Sequence, residues 1–406
     1  MNKALKSTFI LFLCGFFTVS ALAEEKKTNS FGQQVATSDL EYYGLTPVEE
    51  ANKRKLGATL FIDTYYDSNI FIASDGERGD FVTLIKPYIT YESNPGNLSN
   101  QTHEFGVYYS PEFQLFASTD SENAINQSAQ AVYRYTGDHS FFNISHRFRE
   151  SEGANIDIGN RASLLRQVTL INGGLEFADD YQWLYGGKQN LRYYDRQNDR
   201  HDWQLYSFLM KEVARNLQLG VGARGGWVDT ALSSNQTYQN ILGRLIWTVT
   251  NKLRFDFEAG VDMRQFDGLF AIGDYSTFTY RAQFIWDIFD DTNLALSTYR
   301  RTISSSGINS ANYDNTGVRA ELTQRICDQV SAQMGAGYEN ADYYSTVTNN
   351  QVGLKFNYFF LRPALLWSPS ENIFFEFYYR YSNNNADIAI RDFDRHQTGI
   401  QTTIEF

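Results

Sequence analysis

Cysteine is almost missing from this chain of 406 residues: Cys14 and Cys327 are its two. Cys14 lies in a leader expected to be cut away, which leaves one thiol. A single thiol can build neither an internal disulfide framework nor a cysteine metal site. Histidine is scarce too, with five in all and no paired spacing suited to a metal. There is no basic surplus: 35 Lys and Arg stand against 47 Asp and Glu, a net charge of −12. Loss of Lys3 and Lys6 with the leader makes this −14 (−12 − 2). Nucleic-acid binding, which wants a basic footprint, is excluded on that count. Beyond the leader no convincing long helix and no further membrane-helix candidate is found.

The leader itself reads "MNKALKSTFILFLCGFFTVSALA". Lys3 and Lys6 precede an apolar run from Phe9 to Val19, and Ala21-Leu22-Ala23 closes it with a small-residue cleavage pattern. Residues 1–23 are thus predicted to be a secretory signal peptide, too short in its apolar run to span a bilayer. Bulky Leu13 before Cys14 argues against a lipoprotein signal. Residues 24–55 are polar and aperiodic, and Thr46, Pro47 and Glu49 make a capping-box start to a short helix. They are expected to form a periplasmic lead segment.

What the chain has in quantity is aromatic residues: 27 Tyr and 31 Phe, 16% with Trp, in a chain that is 20% charged. So many rings in so polar a chain suggest apolar residues spent on one side of each element. The stretch "KLRFDFEAGVDMRQF" at 252–266 shows how. Leu253, Phe255, Phe257, Ala259, Val261 and Met263 share one parity, and Arg254, Asp256, Glu258, Asp262 and Arg264 share the other. In a strand this gives one oily face and one charged face. The pattern repeats in Leu217, Leu219, Val221, Ala223 and Trp227, in Phe278, Tyr280, Ala282, Phe284 and Trp286, and in Ile373, Phe375, Phe377, Tyr379 and Tyr381.

Alternating segments are predicted at 57–66, 80–92, 102–116, 124–136, 139–150, 163–178, 181–195, 201–213 and 216–230. They continue at 236–250, 252–266, 274–288, 292–304, 311–326, 329–341, 346–367, 372–384 and 390–406, about 18 strands in all. Odd-numbered connections are longer and polar, such as "DSNIFIASDGERG" and "SNNNADIAI"; even-numbered ones are mostly tight, such as "ADDY", "ARNL" and "TNKL". Long loops on one rim and short turns on the other are the mark of an outer-membrane barrel. A propeller would need four short strands per repeat rather than two long ones. The reading is all-β: a closed, antiparallel, up-and-down transmembrane barrel over residues 56–406, lipid outside and water inside.

The chain ends "GIQTTIEF", with Ile400, Thr402, Ile404 and Phe406 on one face. That ending resembles the carboxy-terminal signal read by the barrel-assembly machinery of the outer membrane. The opening "LFIDTYYDSNIF", followed by an acidic loop and "GDFVTLIKPYITYES", resembles the putative β-barrel porin 2 family, whose members carry a similar motif after the first strand. Here that motif is Tyr66, Asp67, Ser68, Asn69, Ile70 and Phe71. Family members often occur with exopolysaccharide or capsule machinery. The resemblance therefore implies a conduit for polymer, working beside a periplasmic polysaccharide-export protein.

A barrel of this size encloses an aqueous lumen whose lining sets selectivity. By parity the inward bases include Arg134, Arg147, Arg149, Lys188, Arg192, Arg224, Arg244, Arg254, Arg264, Arg281, Arg319, Arg325, Lys355, Arg380 and Arg395. Inward acids include Glu176, Asp256, Glu258, Asp262, Asp287, Glu321, Glu339, Glu376 and Glu405. The bases either favour anions, which suits an anionic polysaccharide, or simply pair with acids across neighbouring strands. Tyr185, Tyr193, Tyr194 and Tyr206 would stack on sugars or form wall and girdle. No outer loop exceeds about 13 residues, within ordinary lengths, so no long loop is expected to fold inward. The lumen is then either wide or closed jointly by short loops and the amino-terminal segment.

Catalysis finds little support. His201 and Asp202 lie near an outer loop beside Asp199 and Arg200, with no nucleophile motif, and the remaining His103, His139, His146 and His396 are scattered. No enzyme activity, metal or cofactor is expected. The sequence reading is an outer-membrane channel for polysaccharide export, the alternative being a general or solute-selective diffusion porin.

Overall fold

The computed structural model describes residues 56–93, 102–155, 160–178, 180–195, 197–231, 235–267, 273–304, 312–345 and 354–406. The predicted leader and lead segment lie outside the described residues. The first nine strands are β1 (Leu56–Asp67), β2 (Asp80–Glu92), β3 (Thr102–Phe116), β4 (Ala124–Thr136), β5 (Ser140–Asn155), β6 (Asn160–Ala178), β7 (Tyr181–Tyr194), β8 (Arg200–Ala214) and β9 (Leu217–Thr230). The other nine are β10 (Asn235–Thr250), β11 (Leu253–Asp267), β12 (Tyr275–Phe289), β13 (Thr292–Ser304), β14 (Asn312–Cys327), β15 (Val330–Ser345), β16 (Lys355–Ser370), β17 (Ile373–Ala386) and β18 (Phe393–Glu405).

Each strand pairs antiparallel with its sequence neighbours, and β1 pairs with β18 from Thr59↔Glu405 to Asp67↔Gln397. The sheet therefore closes into an 18-stranded barrel with no free edge strand. Closure is what a spanning sheet requires, because lipid offers no partner for an open edge.

Alternation decides which way each side chain points, and the barrel inverts the usual rule of burial. On β11 Asp256, Glu258, Asp262 and Arg264 are buried while Val261 is exposed. Val221 on β9 and Ile241 on β10 are 69% and 66% exposed. Apolar residues on the outside and charges on the inside make sense only with lipid around the barrel. The six tryptophans lie on the outer parity at strand ends: Trp183, Trp247, Trp286 and Trp367 at the short-turn rim, Trp203 and Trp227 at the other. Trp203 and Trp227 stack at 5.3 Å, as do Trp367 and Phe375 at 5.4 Å. Two aromatic girdles result, with the short-turn rim on the periplasmic side.

That rim is built by repetition. The connections β6–β7, β8–β9, β10–β11, β12–β13, β14–β15 and β16–β17 each follow a bulge in the strand pairing. A bulge leaves a backbone N–H without its ladder partner. Here the preceding turn supplies one: Glu212 donates to Asp180 O, Thr248 to Asn216 O, Asp287 to Lys252 O and Arg325 to Asp291 O. A ring of turn carbonyls thus satisfies a ring of bulges.

The strand count and order agree with the sequence reading, and two boundaries differ. Strand β5 runs on through "SEGAN" and β6 starts at Asn160, because the ladder continues to Asn155↔Asn160, although that stretch has the polar, Gly-containing character of a loop. The predicted strand at 346–367 begins instead at Lys355, and β15 extends to Ser345.

Candidate functional site

The inner face carries a charge network laid out by strand register. Asp256 sits between Arg244 at 2.9 Å and Arg281 at 3.3 Å, and Arg224 bonds Glu258. Arg264 pairs with Asp262 at 2.9 Å, Arg362 with Glu376 at 2.6 Å and Arg134 with Glu104 at 3.0 Å. A buried guanidinium needs such a partner, since an uncompensated charge out of water is strongly unfavourable.

A second motif repeats on the same face. An aromatic ring lies flat over a glycine of the next strand, and a guanidinium sits on its free side. Tyr238 covers Gly226 beneath Arg264 at 4.8 Å, and Tyr299 covers Gly317 beneath Arg301 at 4.5 Å. Phe360 covers Gly337, with Arg319 and Arg380 at 5.5 and 5.7 Å from its ring. Glycine leaves room for the ring to lie down, and the ring face attracts the cation. The inner wall is thereby paved with rigid ring and guanidinium surfaces.

Part of the outer end is obstructed from within: of the two alternatives, a wide lumen or one closed by short elements, it is short strand ends that enter. Strand β13 leaves β12 after Tyr280↔Arg300, although β12 extends five residues further and β13 four. Pairing of β13 with β14 continues to Ser304↔Asn312, and β14 stays on β15 to Asn312↔Ser345, so the break lies at β12–β13 alone and the β13 edge of the sheet curls inward with β14 attached. Parity would send Thr302, Ser304, Asn312 and Asp314 toward lipid, yet they are buried at 8, 2, 2 and 4% exposure. They lie against the inner wall of β8–β12. Gln236 Nε2 donates to Asn312 Oδ1 at 3.0 Å and to Ser304 Oγ, and Arg200 donates to Ser304 O. Arg264 reaches Thr302 O at 3.4 Å. Tyr275 and Thr277 both donate to Asp314 at 3.0 Å, and the Tyr275 ring stacks on Tyr344 at 3.9 Å. On the hairpin's other side Ile303, Tyr313 and Tyr343 pack with Phe356, Ala386 and Ile388.

The loop after β1 also folds inward. Ile70 and Ile72 are buried, Ile70 against Tyr65, Val82, Leu84 and Phe116, and Ile72 against Tyr358, Phe360 and Phe393. Asn69 holds the turn: its Nδ2 donates to Ala73 O at 2.8 Å and Asp394 O at 3.2 Å, and Ala73 N donates to its Oδ1 at 2.9 Å. Asp67 accepts from Arg395 at 3.0 Å and from Gln397 at 3.0 Å. The Tyr-Asp-Ser-Asn-Ile-Phe motif is thus a latch at the seam where β18 meets β1.

The bases named from sequence fall into groups. Lys188, Arg224, Arg264 and Arg395 take part in the inner face, as do Arg244, Arg254, Arg281, Arg319 and Arg380. Arg147 donates to Gln130 at 3.1 Å, and Arg192 stands opposite Arg200 on β8. Arg325 is half exposed at the periplasmic rim with Asp291. Lys355 is a correction: with Phe356 and Tyr358 buried, it takes the outer parity and pairs at 3.7 Å with Asp342 at the outer rim. Arg200, Arg301 and Arg362 escape the parity reading. The signal for this inward edge is Thr302, Ser304, Asn312 and Asp314, polar residues on the parity reserved for lipid. His201 and Asp202 point to opposite faces of β8, His201 to Trp203 and Asp202 to Tyr238. Ile400 and Phe406 are exposed on the outer face.

Fold, girdles and inner face define a closed 18-stranded transmembrane β-barrel with a charged inner wall. Residues 228–406, somewhat under half of the chain, match the family described as putative beta-barrel porin 2. No curated protein matches the chain. Among solved structures, OpdK of Pseudomonas aeruginosa with vanillate superposes with TM-score 0.48 at 12% identity, covering 86% of this chain and 99% of that one. OccK2 (OpdF) of the same organism with glucuronate gives 0.47 at 8%, covering 86% and 98%. OccAB3 of Acinetobacter baumannii gives 0.45 at 10%, covering 86% and 99%.

Proposed function

We propose that this protein is a solute-selective channel that passes small organic anions across the outer membrane. The observation that carries this reading is the β13–β14 hairpin end lying across the outer lumen. A wide, unobstructed lumen is the main physical argument for export, and strand ends lying in the lumen weaken that argument. With an inward element present, the alternative reading of a selective porin is the better supported one.

The anion preference rests on guanidiniums that carbon rings, not carboxylates, hold in place. Arg319 and Arg380 share the Phe360 ring, and Arg380 donates to Tyr358 OH at 3.2 Å. Neither forms an ion pair among the described residues. No bonded carboxylate cancels their charge among the described residues, and bases lining a pore favour anions. A flat ring with an attached guanidinium also suits a solute that has both an apolar body and a carboxylate.

Reversal potentials across planar bilayers in a salt gradient test this. The wild type is expected to pass chloride over potassium, and Arg319→Glu with Arg380→Glu is expected to abolish or invert that preference. A large unselective conductance, unchanged by both substitutions, would overturn the reading. Loss of external polysaccharide on gene deletion, restored by the gene, would return the export reading.

A further inference from the structure

The outer ends of β12 and β13 present two halves of a ladder that is not made. Above the bulge, pairing runs in register from Asp287↔Asn293 up to Tyr280↔Arg300 and stops there, with strand conformation continuing on both sides. Extending the same register would set Thr279 opposite Arg301, Phe278 opposite Thr302, Thr277 opposite Ile303 and Ser276 opposite Ser304. In the structure, side chains occupy this gap. Thr279 Oγ1 donates to Arg300 O at 2.8 Å, and the Arg300 guanidinium bridges to Asp314 at 2.7 Å and Thr277 Oγ1 at 3.5 Å.

We infer that the β12–β13 seam is a zipper, and that zipping it withdraws the β13–β14 end from the lumen and opens the channel. The inference rests on the channel reading above and adds its regulation. Two arrangements of the same residues compete. In the closed one Gln236, Arg264, Tyr275 and Thr277 of the adjoining β10–β12 wall clasp Ser304, Thr302, Asn312 and Asp314. In the open one those polar contacts are exchanged for backbone ladder bonds between Ser276–Thr279 and Arg301–Ser304.

Neither arrangement leaves a misplaced side chain. Zipped, Thr302, Ser304 and Asp314 take the outer parity at the outer rim, where polar headgroups and water receive them. Ile303 and Arg301 keep the inner parity they already have. Packed elements that hold two discrete arrangements behave as switches rather than as springs. A solute anion that engages Arg264 or Arg200 competes directly with the carbonyls of Thr302 and Ser304 for those donors. Binding at the inner wall would therefore release the clasp, and only a ligand that differs in affinity for the two states can shift them.

Disulfide trapping separates the two states in a Cys327→Ser background. Thr277→Cys with Ile303→Cys reports the zipped seam, because these positions become direct cross-strand partners only there. Gln236→Cys with Asn312→Cys reports the clasped hairpin. Cross-linking is read by non-reducing gel mobility of the folded barrel, and conductance is read separately in bilayers. Oxidising the seam pair is expected to raise single-channel conductance at least two-fold, and oxidising the clasp pair to abolish openings; reduction reverses both. Failure of the seam pair to cross-link, or cross-linking without a conductance change, overturns the zipper. Should a cysteine pair fail to fold, Asp314→Asn alone is expected to raise the open fraction, and an unchanged open fraction counts against the proposal. If the wild type conducts nothing, the channel reading falls while the seam cross-link still answers whether the strands zip.

Discussion

Inside this barrel single residues are constrained in an unusual sense, because the interior is a lining and not a core. Gly337 illustrates it. A Cβ there would lie 2.2 Å from Cε1 of Phe360, whose other surroundings include the guanidiniums of Arg319 and Arg380. Gly337→Ala must therefore push the ring into the lumen and disturb both cations. Overpacking of this kind typically costs about 1–3 kcal/mol. Urea unfolding from lipid vesicles should show a loss of that size, accompanied by reduced anion preference. A stability loss with selectivity intact would mean that the ring does not hold the two guanidiniums where the solute meets them. Gly225, where an added Cβ would meet its nearest neighbour at 3.6 Å, serves as the control: Gly225→Ala should be nearly silent.

At the scale of elements, what the alternation of residues determines is legible in the sequence, and what long-range contact determines is not. Val261 and Asp262 go to opposite faces because a strand has a period of two, so strand number, order, parity and the short-turn rim could all be read. The inward turn of β13 and β14 could not. Thr302, Ser304, Asn312 and Asp314 alternate correctly as strand residues, and their partners Gln236, Arg264 and Tyr275 lie 38 to 76 residues away. Pattern assigns them a face, and only the break after Tyr280 turns that face toward the lumen. The loop at 68–79 is similar: its buried Ile70 and Ile72 were visible as apolar residues in a polar loop, but their destination was not. Asn69→Ala removes three hydrogen bonds of that loop. A loss of about 1.4 kcal/mol raises the opened population tenfold. Cleavage after Arg78 by trypsin added to intact cells should accelerate by roughly that factor. An unchanged rate would show that burial of Ile70 and Ile72 holds the latch without Asn69.

For the whole molecule, the decisive relation is between the outer surface and its solvent. A soluble protein with Val221 at 69% and Ile241 at 66% exposure would tolerate charge there, since exposed sites away from special features usually change stability by no more than about 0.5 kcal/mol. A lipid-facing barrel responds differently: an arginine near the bilayer midplane costs about 2–4 kcal/mol, falling toward zero at the interfaces. The barrel offers an internal ruler for this. Val221 stands about midway between the girdle levels on β9, which Trp247 marks opposite Leu217 and Trp227 marks on the same strand and parity. Val221→Arg should therefore destabilise folding into vesicles by about 2–4 kcal/mol, while Trp227→Arg should cost the loss of ring contacts but little for its charge. The same two substitutions measured against pH and salt should differ little, because the penalty at 221 comes from desolvation and not from pairing with a neighbour. Equal, small effects at both positions would mean that water, not lipid, meets this face, and the inverted burial of the whole barrel would need another cause.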